Sequence, residues 1–206
     1  MKWLLGLAAA LCIAGPVVAA EELMPDVLVR NVTNEVLEIV RADKDIQAGN
    51  VSKAVTLVEV KVLPHFNFAR MTQLAVARDW RQATPAQQKI LIDEFRELLV
   101  RTYSKALTEY RKQTIDFKPF SMAPNETDVK VRTEIKQTGG KPIQLDYYLE
   151  KNSGGWKVYD IEVGGISLVT NYRSSFSQEV RANGIDGLIA VLQAKNKTAE
   201  APAKTK

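Results

Sequence analysis

The sequence holds few groups able to do chemistry, and their spacing argues against a catalytic centre. Its one histidine, His65, stands between Pro64 and Phe66, and a single imidazole cannot build a histidine-rich zinc site. A Ser-His-Asp relay would need His65 to meet Ser167 or Ser121 in space, which no local spacing imposes. A solvent-facing or helix-terminal position is the simpler reading of His65. Among the carboxylates, Asp146, Asp160 and Glu162 fall on candidate strands. Asp160, close to Trp156 and Tyr159, is the best-placed general base, although a structural hydrogen bond asks less of it. The pairs Gly139-Gly140, Gly154-Gly155 and Gly164-Gly165 lack the Gly-x-Gly-x-x-Gly or Lys-Ser/Thr continuation of a phosphate loop and read as turns.

The single cysteine, Cys12, removes disulfides, thiol nucleophiles and cysteine-held metals from consideration, because it lies inside a leader. Lys2, the apolar run Trp3 to Ile13 and the small residues up to Ala19-Ala20 have the order of a secretory signal cleaved after Ala20. The run is too short for a spanning helix, which needs roughly 20 apolar residues. Leu11 is too large for the small residue a lipoprotein cleavage site needs before its cysteine. The formal net charge of +4, Lys2 included, is mild; a nucleic-acid binder would carry a denser basic stripe.

The remaining chain, 21–195, is long enough for one well-packed domain. Pro25 fits a first helical turn, and Leu28, Val32, Val36, Ile39 and Val40 recur at helical spacing to about Ala42. Val51 to Val62 is a second periodic segment, ended by Leu63-Pro64 because the residue before proline leaves the helical region. A third helix is expected from near Asn67. Thr84-Pro85-Ala86-Gln87 is a capping box opening a helix of about 25 residues, whose stripe runs through Leu91, Phe95, Leu98, Leu99, Tyr103 and Tyr110.

Beyond Arg111 the period changes. Ile115 and Phe117, then Val129, Val131, Thr133 and Ile135, alternate with polar residues as half-buried strands do. Gly139-Gly140 and Ser153-Gly154-Gly155 turn the chain through Ile143 to Leu149 and Trp156 to Val163, an antiparallel meander. Gly164-Gly165 is expected to end the sheet. A helix from Val169 to Ala182, a stop at Asn183-Gly184 and a last helix from Asp186 to Lys195 follow. Residues 196–206 are polar enough to predict disorder. Helices, an antiparallel sheet, then helices make an α+β fold.

The stretch from Trp156-Lys157-Val158-Tyr159-Asp160 through Gly164-Gly165-Ile166-Ser167-Leu168-Val169-Thr170-Asn171-Tyr172-Arg173 to Phe176 resembles the signature of the MlaC family, also called the toluene-tolerance auxiliary family. Leu63-Pro64-His65-Phe66, Trp80 ahead of Thr84 to Gln88, Phe95, Leu99, Tyr103 and Tyr147 extend the resemblance over about Leu28 to Leu192. It implies a soluble periplasmic protein that maintains outer-membrane lipid asymmetry. Such a protein ferries phospholipid between an outer-membrane lipoprotein–porin complex and an inner-membrane ABC transporter complex that docks it through an MCE-domain protein. It would be no enzyme, would need no cofactor beyond phospholipid as cargo, and would shuttle as a monomer.

A diacyl cargo has roughly 30 methylenes to shield at about 0.8 kcal/mol each, so such a carrier needs an apolar cavity enclosed between sheet and helices. The candidates on inward faces are Phe66, Phe68 and Leu74; Leu91, Phe95, Leu98, Leu99 and Tyr103; Val131, Leu145 and Tyr147; and Tyr159, Ile161, Ile166, Val169 and Tyr172. Arg78, Arg81, Lys130, Arg132 and Arg173 are the candidates for head-group contact or docking. Two other classes stay open on the residues alone: an enzyme on a small cone-like α+β fold, and an envelope adaptor without a lipid pocket.

Overall fold

Local capping signals set most helix boundaries in the computed structural model, which describes residues 23–137 and 139–200. The expected leader, 1–20, and the tail residues 201–206 lie outside them. Pro25 opens α1 (Pro25–Ala42), which buries Leu28, Val29, Val36, Leu37 and Val40 on one face. The Asp43 carboxylate accepts from the amides of Asp45 and Ile46 to start the single turn α2 (Lys44–Gln47). Asn50 caps α3 (Val51–Lys61). Pro64 then diverts the chain into a 3-10 turn, Leu63–His65.

Asn67 caps α4 (Phe68–Val76) by accepting the Arg70 amide at 3.0 Å. After a 3-10 stretch, Ala77–Gln82, the predicted box forms at α5 (Pro85–Thr108). Thr84 N–H donates to Gln87 Oε1 at 2.9 Å while Thr84 Oγ1 accepts the Gln87 amide at 3.3 Å.

The sheet runs β1 (Thr114–Phe117), β2 (Asp128–Lys136), β3 (Ile143–Asn152), β4 (Gly155–Val163), β5 (Ile166–Ser167), each antiparallel to the next and in chain order. Register places Val131, Tyr147 and Ile161 side by side, and likewise Thr133, Leu145 and Val163. These residues form the inner face. Between β3 and β4 the register shifts, so that Tyr148 faces Asp160 but Leu149 faces Val158, and Tyr159 is the extra residue of a bulge.

Three boundaries differ from expectation. Gly164-Gly165 does not end the sheet; both glycines hold positive φ (57° and 85°) and form the two-residue hairpin turn into β5. The helix expected from Val169 begins later, because a 3-10 turn at Thr170–Tyr172 precedes α6 (Arg173–Glu200). Gly184 (φ 72°, ψ −174°) breaks α6 at the predicted stop. The helix then continues to Glu200, past Lys195, because Asn196 is buried and its Nδ2 donates to the backbone carbonyl and side chain of Glu94 at 3.0 and 2.8 Å.

Three apolar clusters result among the described residues. One packs Leu91, Phe95 and Leu99 of α5 on α4 and α6. A second joins the inner sheet face to the start of α1, through Leu28, Val29, Val131, Leu149 and Trp156. The third gathers the end of α1, α2, α3 and Tyr110.

Candidate functional site

Between these clusters the interior is hollow. A cavity of about 500 Å³ is walled by Leu28, Val29, Val32, Thr33, Val36 and Leu37 of α1, and by Val58, Val62, Leu63 and His65 at the end of α3 and its turn. Phe66, with Phe68 and Met71 of α4, forms another wall. The C-terminal half of α5 contributes Leu99, Val100, Tyr103, Ser104, Ala106 and Leu107, followed by Tyr110. Ile115, Ile135, Leu145, Tyr147, Val158, Ile161 and Val163 of the sheet make the floor, with Leu168 beside them.

Among the described residues the lining contains no carboxylate, lysine or arginine. Tyr110 Oη donates to the Gln113 carbonyl at 2.5 Å while accepting from Arg41 at 2.6 Å. Burial pushes the phenols of Tyr103 and Tyr147 up to about 12, so both stay neutral. Ser104 Oγ is buried without a hydrogen-bond partner among the described residues. Such a surface can hold hydrocarbon; it offers little to polarise a bond. On a scale where about 10–15 Å³ seats one water-sized group, the space accommodates tens of methylenes, on the order of one to two acyl chains.

Seven of the sixteen predicted pocket residues line this cavity: Phe66, Phe68, Leu99, Tyr103, Leu145, Tyr147 and Ile161. The other nine lie elsewhere, for identifiable reasons. Leu91, Phe95 and Val169 are fully buried in the solid α4–α5–α6 cluster, and Leu74, Leu98 and Tyr172 pack against it. Phe95 meets Tyr172 and Phe176 edge-on at 5.2 and 5.3 Å. The stripe of α5 is continuous, but α6 covers its N-terminal half and the cavity its C-terminal half. Val131 shares the inner face with Tyr147 yet is 1% exposed inside the sheet cluster. Tyr159 is redirected by the bulge, and its hydroxyl donates to Asp128 at 2.6 Å under the Arg70 guanidinium. Ile166 sits at the hairpin tip, 61% exposed.

None of the five predicted basic residues lines the cavity. Strand alternation turns Lys130 and Arg132 to the face opposite Val131. There Lys130 pairs with the buried Asp146 at 2.7 Å and with Glu162 at 3.4 Å. Arg173 donates to the Leu74 carbonyl at 3.2 and 3.0 Å, and Arg78 and Arg81 are exposed. Asp160 has the structural role: Oδ1 accepts the amides of Ile161 (2.8 Å) and Val169 (3.2 Å), and Oδ2 accepts Ser167 Oγ (2.5 Å). Burial raises its pKa while these bonds oppose the rise. His65, expected to face solvent or to end a helix, does end the 3-10 turn, and it is half-buried and joins the lining.

The cavity wall from α1 was missed. Its stripe was legible at Leu28, Val32 and Val36, but periodicity does not say that the partner surface is open space. Among the described residues no group of three or more His, Cys, Asp or Glu is placed to hold a metal, and no helix is long and apolar enough to cross a membrane.

The architecture defines a class: an antiparallel meander covered by helices around an uncharged apolar cavity. Residues 30–194 match the family described as MlaC protein, and the chain belongs to that family. It is similar to the intermembrane phospholipid transport system binding protein MlaC of Haemophilus influenzae, 25% identical over 85% of this chain and 83% of that one. It is also similar to the toluene tolerance protein ttg2D of Pseudomonas putida, 26% identical over 93% of each. A phospholipid-binding protein from Ralstonia solanacearum, solved in complex with a phospholipid, superposes with a TM-score of 0.78 at 39% identity, covering 84% of this chain and 97% of that structure.

Proposed function

We propose that this chain is a soluble periplasmic phospholipid carrier, with the acyl chains held in the cavity. The observation that carries this reading is an interior of about 500 Å³ whose wall, among the described residues, holds no carboxylate, lysine or arginine. Membership of the MlaC family and the phospholipid held by the Ralstonia relative support it. Phe66, Phe68, Leu99, Tyr103, Leu145, Tyr147 and Ile161 contact the chains, together with Leu28, Val32 and Val36 of α1.

The energetics suit a shuttle. Each methylene taken from water is worth about 0.8 kcal/mol, so two chains never cross the aqueous space unshielded. Moving them from bilayer to apolar cavity exchanges one hydrocarbon surrounding for another, and the net cost of loading and unloading stays small. The lipid travels between an outer-membrane lipoprotein–porin complex and the MCE-domain protein of an inner-membrane ABC transporter complex, which keeps the outer membrane asymmetric. The protein works as a monomer and without catalysis; Asp160, the best-placed base, has both oxygens committed to the β4–β5 hairpin.

The test is uptake. Delipidated protein is incubated with phospholipid vesicles, the vesicles are removed by flotation, and lipid in the soluble protein fraction is quantified. Near-stoichiometric intact phospholipid is expected. A folded protein that takes none would favour the adaptor, and released fatty acid or head group would favour an enzyme.

A further inference from the structure

A lipid whose chains fill the cavity still presents a phosphate at its edge, and the basic residues picked from sequence lie away from the lining. One basic side chain does reach it. His65 is half-buried in the cavity wall, and neither ring nitrogen has a hydrogen-bond partner among the described residues. The ring therefore keeps its hydrogen-bonding capacity for a group that arrives at the cavity wall.

The charges around His65 are arranged for an anion. Lys157 of β4 donates from Nζ to the Pro64 carbonyl at 2.7 Å, one residue from the imidazole, and this single bond leaves two ammonium hydrogens free. Glu35 of α1 is the other charge felt at His65, and it is already paired with Lys61 of α3 at 2.5 Å. Beside the cavity wall, at this edge, there is thus one cationic donor, Lys157, itself outside the lining, next to a neutral imidazole in it, with the nearby carboxylate already paired.

Resting on the carrier reading, we infer that this edge is the head-group site: a phosphate oxygen of the bound lipid accepts from the His65 imidazole and the Lys157 ammonium. In the lipid-free protein burial, with Lys157, holds the His65 pKa below its ordinary value, opposed by Glu35, so the ring is neutral at pH 7. A phosphate seated against it favours the imidazolium, and loading is coupled to proton uptake there.

Because His65 is the only histidine, its ring signals are unambiguous by NMR. The titration midpoint of His65 is measured in delipidated protein, after loading with phosphatidylglycerol, after loading with the diacylglycerol of the same chains, and in inorganic phosphate alone. Phosphatidylglycerol is expected to raise the midpoint by about one unit or more, and the other two to leave it in place. In parallel, protein is loaded from vesicles holding equal amounts of the two lipids and the extracted ratio is read. His65→Gln and Lys157→Gln are each expected to narrow the preference for phosphatidylglycerol by about tenfold. An unmoved midpoint in loaded protein, an equal shift with inorganic phosphate alone, or an unchanged ratio in both variants overturns the assignment. Failure of both lipids to enter would instead overturn the carrier reading.

Discussion

Leu145→Asp separates the cavity from the core. Leu145 is half-buried on the inner sheet face, between Thr133 and Val163 in register, and lines the cavity without belonging to any of the three packed clusters found among the described residues. In lipid-free protein the new carboxylate meets cavity water, so the fold should survive. With acyl chains in place it meets hydrocarbon, at a cost of about 2.5–3.5 kcal/mol by analogy with an aspartate at the centre of a membrane helix, which is roughly a hundredfold or more in affinity. The assay is phospholipid retention on gel filtration, with circular dichroism confirming the fold. Retention should recover as pH falls, because protonation removes the charge, and Leu145→Asn should show no such recovery. Val131→Asp, at a site 1% exposed inside the sheet cluster, should fail to fold instead. A folded Leu145→Asp protein that keeps lipid with wild-type affinity would refute the placement of the chains.

Other outcomes follow from the geometry. Tyr103 and Tyr147 are raised from 10.0 to about 12 by burial, so the folded state holds protons that the unfolded state releases. Stability to urea should be level up to about pH 10 and fall between about 10 and 12, with phenolate absorbance of the folded protein lagging that of free tyrosine. Gly184→Ala should destabilise by about 1–3 kcal/mol in urea melts, since the open space around Gly184 leaves only its φ of 72° to oppose a Cβ. Arg70 ties α4 to the sheet through Glu150, Asp128 at 2.7 Å and the Tyr159 ring at 3.5 Å. Arg70→Ala should lose about 1–2 kcal/mol, less in high salt, and Arg70→Lys should restore little of it because the two-pronged geometry is lost.

What was legible in the sequence was what local chemistry decides. Thr84, Pro85 and Gln87 specify the start of α5 through their own hydrogen bonds, and the alternation from Val129 to Ile135 specifies which strand residues share a face. What was not legible depends on remote partners. Asn196 belongs to a polar tail by composition and becomes helical through Glu94, 102 residues earlier. Phe95 and Tyr103 lie on one stripe of one helix, and only the path of α6 decides that the first is packed solid and the second borders a void. Lys130 and Arg132 were readable as outward-facing from the same alternation that turned Val131 inward, so the strand pattern already argued against a place at the cavity. His65 gave no signal in sequence, since its contact with the lining arises from how the turn after α3 meets β4.

The central claim, that the hollow interior holds a phospholipid, is tested most directly by native mass spectrometry of the protein purified from the periplasm without detergent, followed by denaturation and analysis of what is released. A near-stoichiometric phospholipid adduct that dissociates intact on unfolding is the expected result. A bare chain that also remains bare after exposure to phospholipid vesicles would contradict it.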